Sequence, residues 1–523
     1  MNRKYIFIAL ISGFILASCQ SLIDENSSVI FEKSRTYKSR EDALSALFGA
    51  YSVLQSGELY GKKTSRSLSD NASDQYRTSS GANMWSAYTW GPSAGELLTW
   101  WVGNYKLIGT ANDFISNVDK LSDELILPTE KRALKAEMKF IRAIGYYNLV
   151  IAFGKVPMEL DMPTDLSEVR YPTRAPLSEI YALIISDLRE AEKYLPLTAI
   201  PNLQDGRATR GAAAALLAKV YLTKSETEAG NYTDFQAAAD LCDDLITGQY
   251  GAYGLCLNYA DVFNPEKEGG IEHIFSIKYD VAPNISSNVV LAFSPNLLWS
   301  SQTGGVPFVP HTLVSSFDQL NDKRFKYGII NKNPTTGVYL NTDKRFNFAK
   351  FQDEKKTKAG DDHCDVLFLR FADVLLLHSE ALHRGNINLS KSGKDKYYGI
   401  NKVRERAIEA TVTGTCKILP ITSGNYGTQD FLSILVQERA WEFYGEGKRR
   451  WDLLRTGKLE EVMNNYFITE AGQGFPTGVH KIEPKHLLFP IPLQEVETNK
   501  NLIPAGETNN GYVSAGGDDG GFE

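Results

Sequence analysis

The run at 436–455, VQERAWEFYGEGKRRWDLLR, constrains this chain more than any other stretch. Acids, bases and aromatics alternate at helical spacing, and Gly445 and Gly447 interrupt the pattern. Glu438 and Glu442 fall one turn apart on one face, Trp441 and Tyr444 on another, and Trp451 and Leu454 pair further on. The rings of Trp441, Phe443, Tyr444 and Trp451 cannot all stay in water, so the segment is expected to be largely buried. Its charges must then pair, because an isolated buried charge is strongly disfavoured. The two glycines are expected to break the helix and let a second short helix turn back on the first.

Two chemical readings follow. Glu438, Glu442, Glu446 and Asp452 offer carboxyls for an acid/base pair in glycoside hydrolysis. The alternative is a structural ion-pair knot with Arg439, Lys448, Arg449, Arg450 and Arg455. Cationic neighbours push a carboxyl pKa down, which suits pairing and disfavours a general acid, so the structural reading is preferred.

The N-terminus reads as a targeting segment. Arg3 and Lys4 precede an apolar run at 6–16, too short for a mature membrane span and typical of a secretory signal. Leu16-Ala17-Ser18-Cys19 then matches a bacterial lipobox, so 1–18 is read as a lipoprotein signal peptide and Cys19 as the lipidated residue. The alternative is an ordinary signal peptide ending near Ala17. Asp24-Glu25 resembles an acidic signal that sends such lipoproteins to the outer face of the outer membrane.

The net charge is −7, and losing the two cations Arg3 and Lys4 makes it −9. An acidic surface argues against nucleic acid as a partner. No GxSxG, phosphate loop, close His/Cys ligand set or other cofactor motif appears, so no cofactor, metal or enzymatic activity is implied. His378 and His383 are expected to be packed or solvated. Cys242, Cys256, Cys364 and Cys416 form no CxxC pair, and their spacing selects no disulfide.

Apolar periodicity predicts helices at 41–55, 101–118, 130–153, 176–195, 211–222 and 233–246. The first carries a stripe of Leu44, Leu47, Phe48, Tyr51 and Leu54. The fifth presents a run of alanines that permits close helix-on-helix approach, as in stacked helical hairpins. Thr233 and Gln236 have capping-box spacing at the start of the sixth. From about 258 to 350 the chain turns to Gly, Pro, Asn and Ser clusters with a short alternating strand at 274–279. Helix returns at 369–381 and 400–407. The fold class is therefore mainly α: a tetratricopeptide-like helical-hairpin scaffold with a loop-rich second lobe containing a few short strands.

Several blocks, in order, resemble the SusD/RagB family. They are Phe140-Ile141-Arg142-Ala143 with Tyr146-Tyr147 and Phe153-Gly154-Lys155-Val156-Pro157; TRAPLSEIY at 173–181; 209–222; 369–381; 400–407; the Glu438-Arg439…Glu446-Gly447-Lys448-Arg449…Asp452-Leu453-Leu454-Arg455 signature; and Leu488-Phe489-Pro490-Ile491-Pro492 with Glu495 and Asn501. The resemblance implies an N-terminal SusD-like helical region at 19–250 and a C-terminal SusD/RagB region at 251–523. It further implies an extracellular-facing, lipid-anchored outer-membrane protein that captures an oligosaccharide ligand and hands it to a SusC-like TonB-dependent transporter. Two other readings remain: an all-helical glycoside hydrolase, and a helical-repeat scaffold that binds protein.

Sugar binding needs aromatic faces for pyranose rings and polar groups for hydroxyls. The stretch at 70–90 supplies both, with Asp74, Tyr76, Asn83, Trp85, Tyr88 and Trp90 among small polar residues. Trp85, Tyr88 and Trp90 are expected to form an exposed stacking platform, with Asp74 and Asn83 as hydroxyl partners. Tucking these rings under the loop is the competing reading. Trp299, in the loop at 295–302, is a second candidate.

Overall fold

The computed structural model describes residues 37–77, 83–160, 171–197, 206–280, 287, 308–353, 364–425, 430–473 and 481–512. In the first half these residues form α1 (Arg40–Gln55), α2 (Thr64–Leu68), α3 (Gly95–Asn117), α4 (Pro128–Phe153), α5 (Leu177–Tyr194), α6 (Arg210–Lys224) and α7 (Thr233–Ile246). Local chemistry sets several starts. The Ser39 hydroxyl accepts from the Asp42 N–H while the Asp42 carboxylate accepts from the Ser39 N–H, a capping box for α1. Pro128 opens α4, where its missing N–H costs nothing. The Thr209 hydroxyl caps α6 by accepting from Ala212.

From α3 to α7 each helix packs on the next. The alanine run of α6 is buried, so α5 and α7 approach it closely on either side. The second half adds β1 (His273–Ile277), α8 (His311–Ser316), α9 (Lys323–Gly328), β2 (Ile329–Ile330), β3 (Asn347–Phe348), β4 (Val366–Arg370), α10 (Phe371–Arg384), α11 (Lys396–Ala407), α12 (Phe431–Phe443), α13 (Arg449–Arg455), α14 (Leu459–Gly472) and α15 (Leu493–Thr498). β1 pairs antiparallel with β4, and β2 with β3. α10 continues the stack by packing on α7, and α11 and α12 pack on α10 in turn. Gly399 makes the α10–α11 contact: a Cβ there would lie 1.9 Å from the Leu375 carbonyl oxygen. The fold is thus mainly α with a few short strands, as the sequence predicts.

Two apolar cores are present among the described residues. The larger draws on the helical stack and on α12–α14, from Tyr37 to Tyr512. The smaller is built from 259–263, 309–351, 364–367 and nearby segments, including Phe317, Phe325 and Phe348. α12 lies between them, sending Leu435, Val436 and Phe443 into the larger core and Trp441 into the smaller, which Tyr444 also enters.

Two local expectations need correction. In α1 the buried line is Ala43, Leu47, Ala50 and Leu54, while Phe48 is exposed, so the core-facing stripe is rotated from the bulkiest one. In α7 the cap is not Thr233 with Gln236. Asn231 accepts from the Thr233 N–H, Asp234 accepts from the Asn231 N–H, and Gln236 donates to Asp240. Asn231, two positions upstream, takes the Thr233 N–H that the Gln236 side chain would have accepted in the predicted box, so the box does not form.

Candidate functional site

The acidic run was the first candidate, and its carboxylates are all buried in ion pairs. α12 ends at Phe443, Gly445 and Gly447 adopt φ of 73° and 71°, and α13 starts at Arg449, so the chain turns back as expected. Asp452 is held by Arg439 at 2.8 Å and by Arg455 at 2.7 Å, both within the run. Glu446 accepts from Lys350 at 2.6 Å, Arg370 at 2.8 Å and Lys448 at 3.0 Å. Glu438 and Glu442 differ from the expectation, because their partners come from other elements. Glu438 accepts from Arg324 of α9 at 2.6 Å and Arg404 of α11 at 2.7 Å. Glu442 accepts from Arg370, which closes β4, at 2.7 Å, from Arg324 at 3.2 Å, and from Arg406. Of the expected partners, Arg449 instead binds Asp74, and Arg450 pairs with no carboxylate among the described residues.

Burial alone would raise the Glu442 pKa, but Arg406, Arg370 and Arg324 together outweigh it and hold the carboxyl far below its usual range. Glu446 is lowered in the same way: Arg370, Lys350 and Lys448 overcome its burial. A carboxyl so placed keeps no proton near neutrality and cannot serve as a general acid. The run is a structural ion-pair knot.

The aromatic loop is the second candidate, and its rings face inward. Trp85, Tyr88 and Trp90 are 3%, 2% and 3% exposed. Trp85 stacks on Trp90 at 5.7 Å, Tyr88 lies 4.5 Å from Trp90, and Phe489 meets Trp90 edge-on at 5.1 Å. Arg450, fully buried, puts its guanidinium 5.2 Å from the Trp90 centroid and 4.6 Å from that of Phe489, and donates to the Tyr88 hydroxyl and the His486 carbonyl. Tyr88 holds φ of 56°, a left-handed backbone that its hydroxyl's bond to the Ala72 carbonyl helps fix. The expected exposed platform is therefore corrected to an inner aromatic cluster. Large rings gain more by burial around a caged cation than by facing water. Met84 and Thr89 are the exposed side chains instead.

Asp74 forms a bidentate pair with Arg449 at 2.7 and 2.8 Å, and Asn83 accepts from the Trp85 and Ser86 N–H groups, closing the turn. Tyr76 is half-buried, and its carbonyl accepts from Tyr466. Trp299 and Cys19 lie outside the described residues. His378 is buried beside Tyr398, and desolvation lowers its pKa to about 4; His383 packs on Phe431. Cys242, Cys256, Cys364 and Cys416 form no disulfide among the described residues.

Sequence reasoning missed where the loops are rooted. Phe308 donates its N–H to the Arg77 carbonyl at 2.7 Å in an antiparallel bridge, and also bridges Asn347. Two residues far apart in the sequence therefore meet at this bridge. Arg77 bonds Glu470 at 3.1 Å and meets His311, while Arg345 lies 3.7 Å from the Phe308 ring centroid. The Ser287 hydroxyl donates to the Cys364 carbonyl at 2.8 Å, tying Ser287 to the segment before β4. No short-range pattern marks these contacts, because each joins residues far apart in the chain.

Two family models match this chain. One, described as the SusD family, matches 326–512, and the other, described as starch-binding associating with outer membrane, matches 26–222. The chain belongs to the SusD/RagB family. SusD-like protein P25 of Formosa agariphila is 27% identical across 98% of this chain and 100% of its own length. Among solved structures, a SusD homolog from Bacteroides thetaiotaomicron superposes with a TM-score of 0.74 at 23% identity, covering 91% of this chain and 99% of its own. A laminarin-binding SusD-like protein gives 0.68 at 23% identity, covering 89% and 98%. These structural likenesses carry the fold, and the SusD scaffold here is the stack α3–α7 extended by α10–α12.

Replacing Glu442 by Gln should cost about 3–5 kcal/mol, because three guanidinium groups lose a buried counter-charge. The wild-type contribution is present above the unfolded carboxyl value of about 4.3. It is lost as pH falls toward the lower folded value. Denaturant melts from pH 7 to pH 3 should therefore show a steep acid loss in wild type and a shallower one in Glu442→Gln.

Proposed function

We propose that this protein captures an oligosaccharide at the cell surface and passes it to a SusC-like TonB-dependent transporter. Acyl chains on Cys19 hold it to the outer membrane with its loops facing outward. The observation that carries the binding reading is the SusD-like fold, on which the bridge between Arg77 and Phe308 joins the end of the segment at 70–77 to a residue far along the chain. The laminarin-binding neighbour and the starch-binding description of the N-terminal family model support a glycan as the ligand class.

Trp299 is the ring proposed to stack on a pyranose face, since the rings of Trp85, Tyr88 and Trp90 serve the core. Tyr76, next to Arg77, and Asn83 are proposed to flank the ligand with polar groups, with Asp74 held by Arg449. Hydrolysis is not part of this reading, because the carboxylates of the knot are all engaged by buried cations.

Affinity electrophoresis against a panel of polysaccharides tests the reading. Wild type should be retarded by at least one, and Trp299→Ala should lose about 2 kcal/mol, some thirtyfold in affinity, with an unchanged melting temperature. Trp90→Ala should instead lose about 3–5 kcal/mol of stability, as an emptied core position does. Retention that survives Trp299→Ala unaltered would remove Trp299 from the site.

Membrane attachment is tested separately. Cys19→Ala should move the protein from the membrane fraction to the soluble one, since stable anchoring needs two or more acyl signals. Tight association of that variant with the membrane would contradict lipidation at Cys19.

A further inference from the structure

Between 323 and 350 the sequence carries seven basic residues and a single acid, Asp343, in a chain of net charge −7. Most of these cations are committed. Arg324 and Lys350 belong to the ion-pair knot, Lys326 pairs with Glu409 at 2.8 Å, and Arg345 pairs with Asp343. The Lys323 ammonium reaches the Arg406 carbonyl at 3.5 Å. Lys332 and Lys344 remain, exposed and without a carboxylate partner among the described residues. Both converge on one ring: their ammonium groups lie 4.7 and 5.1 Å from the centroid of Tyr339.

We propose that the tip of the β2–β3 hairpin is an anion-recognition site, in which Lys332 and Lys344 hold a carboxylate or sulfate of an acidic glycan beside the Tyr339 ring. Backbone bonds fix the shape of this tip. Lys332 faces Tyr339 in an antiparallel bridge, the Asn333 N–H donates to the Val338 carbonyl at 2.8 Å, and the Leu340 N–H donates to the Asn331 carbonyl at 2.9 Å. The Asn333 side chain accepts from the Thr335 and Thr336 N–H groups and closes the turn, with Gly337 at φ of 70°. On the returning strand Lys344 holds φ of 58°, a left-handed backbone uncommon for a lysine, and its N–H donates to the Asn341 carbonyl at 3.1 Å.

The Tyr339 ring attracts each ammonium, but the two ammonium groups repel one another. An anion placed between them removes that repulsion and accepts charge-assisted hydrogen bonds from both, whereas a neutral sugar hydroxyl leaves the repulsion in place. Tyr339 and Val338, both exposed, offer the apolar contact that a sugar ring uses and a bare ion does not. The chain as a whole is acidic and repels polyanions, so an acidic polymer that binds is selected by this local charge. Asn347, at the foot of the hairpin, bridges Phe308, which bridges Arg77, and the Arg345 guanidinium lies 3.7 Å from the Phe308 centroid. The hairpin is thus joined to the segment at 70–77 that carries Asp74 and Tyr76.

The carbohydrate class of this ligand rests on the function proposed above, and its acidic character goes beyond it. Calorimetry on the full mature chain carrying Cys19→Ala tests the site, with polygalacturonate as the carboxylate probe, carrageenan as the sulfate probe and pullulan as the neutral one. At least one acidic polymer should bind, more weakly as sodium chloride is raised, and the one preferred assigns carboxylate or sulfate. Joint Lys332→Ala and Lys344→Ala should weaken that binding about tenfold with an unchanged melting temperature, because both side chains are exposed. Tyr339→Phe should retain the affinity and Tyr339→Ala should lose part of it, since the ring gathers the two cations. Acidic polymer bound equally by the double lysine variant or by Tyr339→Ala would overturn this site and leave surface capture standing. So would retention of a neutral polysaccharide with both acidic polymers ignored. Failure of every polysaccharide would sink both readings. Acidic binding that depends on the lysines and ignores Trp299→Ala would support this site and remove Trp299 alone from the capture reading.

Discussion

Glu442 and the guanidinium groups of Arg324, Arg370 and Arg406 form the contact on which the rest of the structure depends. α12 has an apolar core on either side, and its acidic face lies in the seam between them. Arg324 comes from α9, Arg370 from the end of β4 and Arg406 from α11, so one carboxylate ties three elements to α12. Arg370 also reaches Glu272 and Glu446, and Arg406 reaches Glu272, which closes the network. Removing water from so many charges is costly, and only near-complete mutual pairing offsets it. Such a network specifies geometry as much as it stabilises, since a slipped helix would strand several charges at once.

That rigidity explains how the fold can carry a binding surface. The helical stack and the knot fix where each loop leaves and returns, and the bridge between Arg77 and Phe308 brings two distant stretches to one place. Loops rooted on a stiff frame can vary in sequence without disturbing the core, which suits a family whose members bind different glycans. Arg450 plays a related part beneath the loop at 83–90, where its caged cation joins α13 to the aromatic cluster and to Phe489.

The helices were legible because their apolar spacing is local, and α4, α5, α6 and α7 appear close to where periodicity puts them. The burial of the acidic run was legible too, since four rings within it had to leave water. Its partners were not. Arg324 is 114 positions from Glu438, and no spacing rule reaches that far. The aromatic loop misled for the same reason. Its polar, glycine-flanked neighbourhood reads as exposed, whereas the residues that enclose its rings, Arg450, His486 and Phe489, lie far along the chain. At α7 the failure was short-range: Asn231 accepts from the Thr233 N–H that Gln236 would have accepted in the predicted box.

The claim that the acidic run is structural is tested most directly by a double-mutant cycle on Glu442 and Arg406, read by denaturant unfolding. Glu442→Met and Arg406→Met should each destabilise the protein strongly, while the double variant costs less than their sum. The coupling should be at least about 1 kcal/mol. Additive losses, with a coupling near zero, would contradict the knot.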